Sequence, residues 1–161
     1  MRYEIQGGSF PVVTCYLDNG EQMINESGSM VWMSPNIQMD TKGGTLGKMF
    51  AKVLAGESMF RNIYTAKGEG MITFGSSFPG KILDVAITPE KPLIAQKNCF
   101  LASESGVQLS IHFNKNLGAG LFGGEGFIMQ RIVGDGMVFL EIDGHCKEYD
   151  LAPGESIVVD T

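Results

Sequence analysis

Cysteine is scarce and shows no order: Cys15, Cys99 and Cys146 form an odd set with no CxxC spacing. A secreted disulfide scaffold carries an even set, so unpaired thiols in a reducing, cytoplasmic setting are expected. Long apolar runs are missing, and no segment approaches the roughly 20 residues of a membrane-crossing helix. The opening Met1–Val13 stretch carries one basic residue and no apolar core of signal-peptide length. Positive charge is also thin. Twelve Lys and Arg face eighteen Asp and Glu for a formal charge of −6, and no two basic residues are adjacent. Phosphate-backbone binding depends on clustered Lys and Arg, so nucleic acid is disfavoured as a partner.

What the chain does have is glycine. Its 161 residues make about one domain, and 43% hydrophobic against 19% charged residues excludes intrinsic disorder. The 22 glycines are about twice the usual share, with no collagen period and only 6 prolines. Many glycines mean many tight turns, and many turns mean many short strands.

Periodicity agrees. Val107, Leu109, Ile111 and Phe113 alternate with Gln108, Ser110, His112 and Asn114, the pattern of a half-buried strand. Further strand runs are Met30–Met33, Ile37–Met39, Met71–Phe74, Ile82–Ile87, Phe127–Val133, Met137–Ile142 and Ile157–Val159. One stretch differs: Leu46, Met49, Phe50, Val53 and Leu54 share a helical face between Thr45 as N-cap and Gly56 as C′ residue, which predicts one short helix near 45–55.

Self-similarity is visible along the chain. Gly68-Glu69-Gly70-Met71-Ile72-Thr73-Phe74 matches Gly134-Asp135-Gly136-Met137-Val138-Phe139-Leu140, 66 residues further on. Gly56–Phe60 matches Gly124–Ile128, and Met30-Val31 with Ile37–Met39 matches Phe100-Leu101 with Val107–Leu109, at offsets of 68 and 70. Turns at Gly20-Glu21, Gly80-Lys81 and Gly154-Glu155 recur on a similar spacing. The expected organisation is one repeated β module at 20–79, a second at 80–153 and the start of a third at 154–161. Gly20, Gly80, Gly154, Gly70 and Gly136 are its structural turns. A third module ending seven residues after Gly154 implies either truncation or an edge covered by another chain.

The strings Leu54–Phe60, Phe78-Pro79-Gly80, Phe100–Ser103, Gly120–Gly126, Leu151–Glu155 and Val158–Thr161 resemble one family over essentially the whole chain. It is the bacterial and archaeal family related to the altered-inheritance-of-mitochondria protein of fungi. The resemblance implies an all-β fold like the tryptophan RNA-binding attenuation protein, with short double-stranded β-helix modules in tandem, and it implies oligomeric assembly. It brings no catalytic residues.

Motifs with possible chemistry are weak. Gly118-Ala119-Gly120-Leu121-Phe122-Gly123 fits the dinucleotide GxGxxG, but turn-rich, strand-like sequence follows where a helix is required. Gly43–Lys48 is one residue short of a phosphate loop, and Met49 stands where Ser or Thr would hold magnesium. His145 and Cys146 are adjacent and point apart in an extended chain, so no metal is expected. No GxSxG is present, and Glu21, Glu57, Glu125 and Glu155 each follow a turn glycine, which suits a structural duty. The ten methionines read mainly as core filling. The expectation is a non-enzymatic protein without cofactor or catalytic residues that associates with itself or a partner. An RNA-binding role by analogy and a small-molecule site in a cleft between modules are the alternatives.

Overall fold

In a computed structural model, residues 1–26, 28–42, 61–112 and 129–158 are described. Among them lie thirteen strands: β1 Arg2–Gln6, β2 Val12–Leu17, β3 Gln22–Glu26, β4 Met30–Met33, β5 Ile37–Lys42, β6 Arg61–Ala66 and β7 Gly70–Gly75, followed by β8 Gly80–Ile87, β9 Leu93–Gln96, β10 Phe100–Glu104, β11 Val107–His112, β12 Met129–Gly134 and β13 Gly136–Asp143. A single 3-10 turn, Lys97–Cys99, precedes β10. The fold is all-β. The helix expected near 45–55, Gly43–Lys48, the GxGxxG at 118–123, Glu57 and Glu125 lie outside the described residues.

Every pairing is antiparallel, and three sheets result: β1-β2-β7-β4, β5-β6-β3-β10-β13-β8 and β11-β12-β9. The ladders recur. Ile37 stands opposite Ala66 in β5–β6, and Val107 stands opposite Gly134 in β11–β12, 70 and 68 residues further along. Met23 opposite Tyr64 returns as Leu93 opposite Ile132, and Leu17 opposite Gly70 as Ile87 opposite Gly136. Even the irregularity returns: β4–β7 is bulged between Met30 and Trp32, and β10–β13 between Phe100 and Ala102.

Two apolar clusters fill the interior. One gathers Val13, Cys15, Leu17, Met23, Ile37, Tyr64, Ile72 and Phe74. The other gathers Ile87, Val107, Ile132, Val138 and Leu140, with Leu83, Val85 and Leu93 packed against it. These are the same ladder positions in the two halves of the chain. Alternation explains the inward set of β2, where Val13, Cys15 and Leu17 point to the core. Thr14 points the other way and is buried too, its hydroxyl 2.9 Å from that of Thr73 on β7.

The glycine turns are each placed. Gly20 has φ +88° and Gly154 φ +89°, and both turns close alike. Glu21 N–H donates to the Asp18 carbonyl while Asp18 N–H donates to the Glu21 carboxylate; Glu155 and Ala152 repeat both bonds. In the second half, the position of Gly20 is taken by a turn in which Lys91 N–H bonds the Thr88 carbonyl. Gly80 instead opens β8, where a Cβ would run into the Ile142 carbonyl oxygen. Gly70 and Gly136 open β7 and β13. The strand expected at Ile157–Val159 is corrected: Ile157 and Val158 belong to no strand, and Val158 is 96% exposed. An apolar run needs a neighbouring ladder to become a strand, and among the described residues neither Ile157 nor Val158 pairs with one.

Candidate functional site

The two halves meet in one ladder. In β3–β10, Asn25 stands opposite Ala102, Ile24 opposite Ser103 and Met23 opposite Glu104. This joint stitches β5-β6-β3 to β10-β13-β8 as one six-stranded sheet. It is buried and polar at its centre. Asn25 is fully buried, its amide donates to Ser29 Oγ at 2.8 Å, and that hydroxyl reaches the Leu101 carbonyl at 3.3 Å.

Each half also has a strand that lacks this partnership. By position β4 corresponds to β10 and β9 corresponds to β3. Among the described residues, β4 ends one sheet and β9 ends another, with no strand paired to the outer edge of either. Open edges present unpaired N–H and C=O groups and invite a further strand. These edges are apolar as well: Val31 and Trp32 on β4 are 54% and 46% exposed, and Ile94 on β9 is 41% exposed.

Two grooves form the second feature. One of about 620 Å³ is lined by Arg2, Tyr16, Asp18, Ser34, Glu69 and Met71. The other, about 280 Å³, is lined by Tyr3, Ala86, Thr88, Glu104, Asp135 and Met137, and Met1 reaches both. Their linings correspond ladder by ladder. In the first, Met71 N–H donates to Ser34 Oγ at 3.0 Å; in the second, Met137 N–H donates to a Glu104 carboxylate oxygen at 2.7 Å. The Arg2 guanidinium lies 3.8 Å from the Tyr16 ring centroid at the mouth of the larger groove.

Two thiols and one phenol in this frame are held in their neutral forms. Burial pushes the Cys15 thiol up to about 12, helped by the Glu104 charge and opposed by the terminal ammonium. Burial likewise pushes Cys99 up to about 11, opposed by its own backbone N–H and reinforced by the Glu141 charge, and its thiol donates to the Gln96 carbonyl at 2.9 Å. The Tyr3 phenol donates to the Asp84 carboxylate, and that bond, with burial, raises it. Thiols shifted this way carry little thiolate at neutral pH and make poor nucleophiles. His145 follows β13, exposed, beside Cys146, while His112 ends β11. Among the described residues no three His, Cys, Asp or Glu side chains come together, and no helix is long and apolar enough to cross a membrane.

A family profile described as Mitochondrial biogenesis AIM24 matches residues 3–161. The chain belongs to this family. An uncharacterized protein of Streptococcus pyogenes serotype M6 is 31% identical over 140 residues, covering 80% of this chain and 56% of its own length. A Streptococcus pyogenes protein solved by X-ray crystallography superposes with a TM-score of 0.71 at 26% identity, over 89% of this chain and 65% of that one. The chain thus spans less than two thirds of the length of either relative. Sequence reasoning expected an uncovered strand edge at the start of the third module and did not place one at β4 or β9. The apolar Met30–Met33 run, holding the only tryptophan, was a visible signal for the β4 edge.

Proposed function

We propose that this AIM24-family chain catalyses no reaction and acts by binding protein partners, itself included, along strand edges. The carrying observation is that β4 and β9 end their sheets while exposing Val31, Trp32 and Ile94. In this reading the chain is a tandem pair of one unit, β2–β7 and β8–β13, each a short double-stranded β-helix like that of the attenuation protein. The recurring ladders and shared bulge support the duplication. The Ala152–Glu155 turn, built like Asp18–Glu21, supports the start of a third unit near the C-terminus. Three unpaired cysteines support a reducing, cytoplasmic location. The net charge of −6 argues against a nucleic-acid partner. Light scattering coupled to size exclusion, across a concentration series, tests the reading. Mass rising above 17.4 kDa with concentration supports it, and a strict monomer refutes it.

The larger groove favours a second reading, a small-molecule site. Arg2 and Tyr16 together with the carboxylates of Asp18 and Glu69 in its lining suit a ligand with both an anionic and a cationic group. A thermal-shift screen with amino acids, nucleotides and lipids tests it, since a ligand selective for the folded state raises Tm.

A further inference from the structure

We propose that Asn19 is a site of spontaneous covalent modification: the exposed Asn19–Gly20 step closes a succinimide, releases ammonia and leaves aspartate or isoaspartate in the turn between β2 and β3. This goes beyond the assembly reading and does not rest on it. Of the asparagines in the chain, Asn19 alone is followed by glycine. The reaction is an attack of the Gly20 backbone nitrogen on the Asn19 side-chain carbonyl carbon. The N–C bond forms, the Gly20 N–H proton passes to solvent base, and the side-chain nitrogen takes a proton and leaves as ammonia. Water then opens the five-membered ring at either carbonyl, giving aspartate from one cleavage and isoaspartate from the other. A side chain on the attacking residue crowds that nitrogen, and glycine has none.

Local geometry selects this turn. Asp18, Asn19 and Gly20 are all exposed. Glu21 N–H donates to the Asp18 carbonyl at 3.0 Å, which sets Asn19 and Gly20 at the two central positions, and the Gly20 φ of +88° fits a type II turn. Apart from its chain neighbours, no heavy atom lies within 4 Å of the point where a Gly20 Cβ would stand, so the ring closes into open space. One bond opposes it: Gly20 N–H donates to the Ala66 carbonyl at 2.9 Å. The attacking nitrogen is released only when that bond opens, a local event that needs far less free energy than global unfolding. Beside it, Ala66 N–H donates to the Glu21 carbonyl at 3.0 Å and ties the same turn to β6.

The chain carries its own unreactive copies of this turn. Ala152-Pro153-Gly154-Glu155 repeats it, with Gly154 at φ +89° and the same two bonds between Ala152 and Glu155, and holds Pro153 where Asn19 stands. Thr88–Lys91 holds Pro89 there. Proline suits that first central position, so the turn does not need asparagine for its shape. Conversion therefore acts on this turn alone. The Gly20 N–H that meets Ala66 is consumed in the succinimide, isoaspartate adds one methylene to the main chain, and either product puts a new carboxylate between Asp18 and Glu21. The modified turn is more acidic and is held less tightly to β6.

The test ages the full chain in warm, mildly alkaline buffer and follows it by peptide mass mapping, with an isoaspartate-specific methyltransferase marking the isomerised residue. A urea-unfolded sample sets the reference rate. Asn19→Pro, copied from the sister turns, and Asn19→Gln, whose ring would be six-membered, are aged beside it, and circular dichroism verifies the fold. The expected result is the mass gain of one amide-to-acid exchange at Asn19 ahead of every other asparagine, with the methyl label at the same residue and a rate below that of the unfolded chain. Both variants should lose the signal and keep the fold; if Asn19→Pro unfolds, Asn19→Gln carries the comparison. An intact Asn19 in the folded chain after the unfolded chain has converted overturns the proposal, because the Ala66 bond then blocks the route. Conversion without the isoaspartate label, or a label that persists in Asn19→Gln, likewise overturns it.

Discussion

Glu141 is the side chain whose loss best tests how the two halves are held. It lies on β13, is 7% exposed, and aims its carboxylate at the link between β7 and β8. Ser77 N–H donates to it at 2.6 Å, Ser76 Oγ at 3.2 Å and Ser77 Oγ at 3.4 Å. Hydrogen bonds to a charged acceptor contribute about 1.5–3 kcal/mol, but Ser77 reaches solvent and can be rehydrated, so the lower end applies. Glu141→Ala should therefore cost about 2 kcal/mol, moving a urea midpoint down by about 1 M at a slope of about 2 kcal/mol/M. Glu141→Gln keeps one acceptor and should lose less. A Ser76→Ala background should reduce the Glu141→Ala effect, because the two mutations then share a lost bond. A Glu141→Ala midpoint within the scatter of ordinary surface substitutions, about 0.5 kcal/mol, would refute the clamp.

Three further outcomes are expected. Cys15 has its pKa raised from 9.0 to about 12, so the folded state favours the neutral thiol. Its contribution is complete below the unfolded value and is lost as pH rises from 9 toward 12, at about 1.4 kcal/mol per pH unit. Cys15→Val, which installs the residue found at the corresponding Val85, should shrink that alkaline slope in pH-dependent melts. Thr14→Val leaves the buried Thr73 hydroxyl without its partner and should cost about 1–3 kcal/mol by chemical denaturation, whereas the double valine variant should recover most of it. Gly20→Ala meets only the left-handed backbone penalty of about 1–2 kcal/mol, since φ is +88° and the space beside it is open. Gly80→Ala should be clearly worse, because its Cβ meets the Ile142 carbonyl, and equal midpoints would contradict the packing at that crossing.

Strands with one wet face were readable in advance. Val107, Leu109 and Ile111 alternate with polar residues, and β11 spans Val107–His112. The matched glycine strings around Gly68 and Gly134 sit at the same place in two equivalent ladders. Of the strands buried on both sides, β7 and β13 were legible as the apolar runs Met71–Phe74 and Met137–Ile142, whereas β2 and β10 were not. Phe100 through Ser103 are all buried, and on β2 Thr14 is buried beside Val13 and Cys15, so the two-residue alternation that marks a strand is erased. The Ile157 run failed for a different reason: among the described residues Ile157 and Val158 pair with no strand.

Composition and period were therefore enough to set the all-β class, because it depends on local backbone geometry and on which residues avoid water. Which strand stands beside which, and hence that β3 meets β10 while β4 and β9 end their sheets among the described residues, was decided only in three dimensions. Strand pairing joins residues far apart in the chain, as Asn25 and Ala102 are, and the hydrogen bonds that select the partner come from backbone groups that every residue shares.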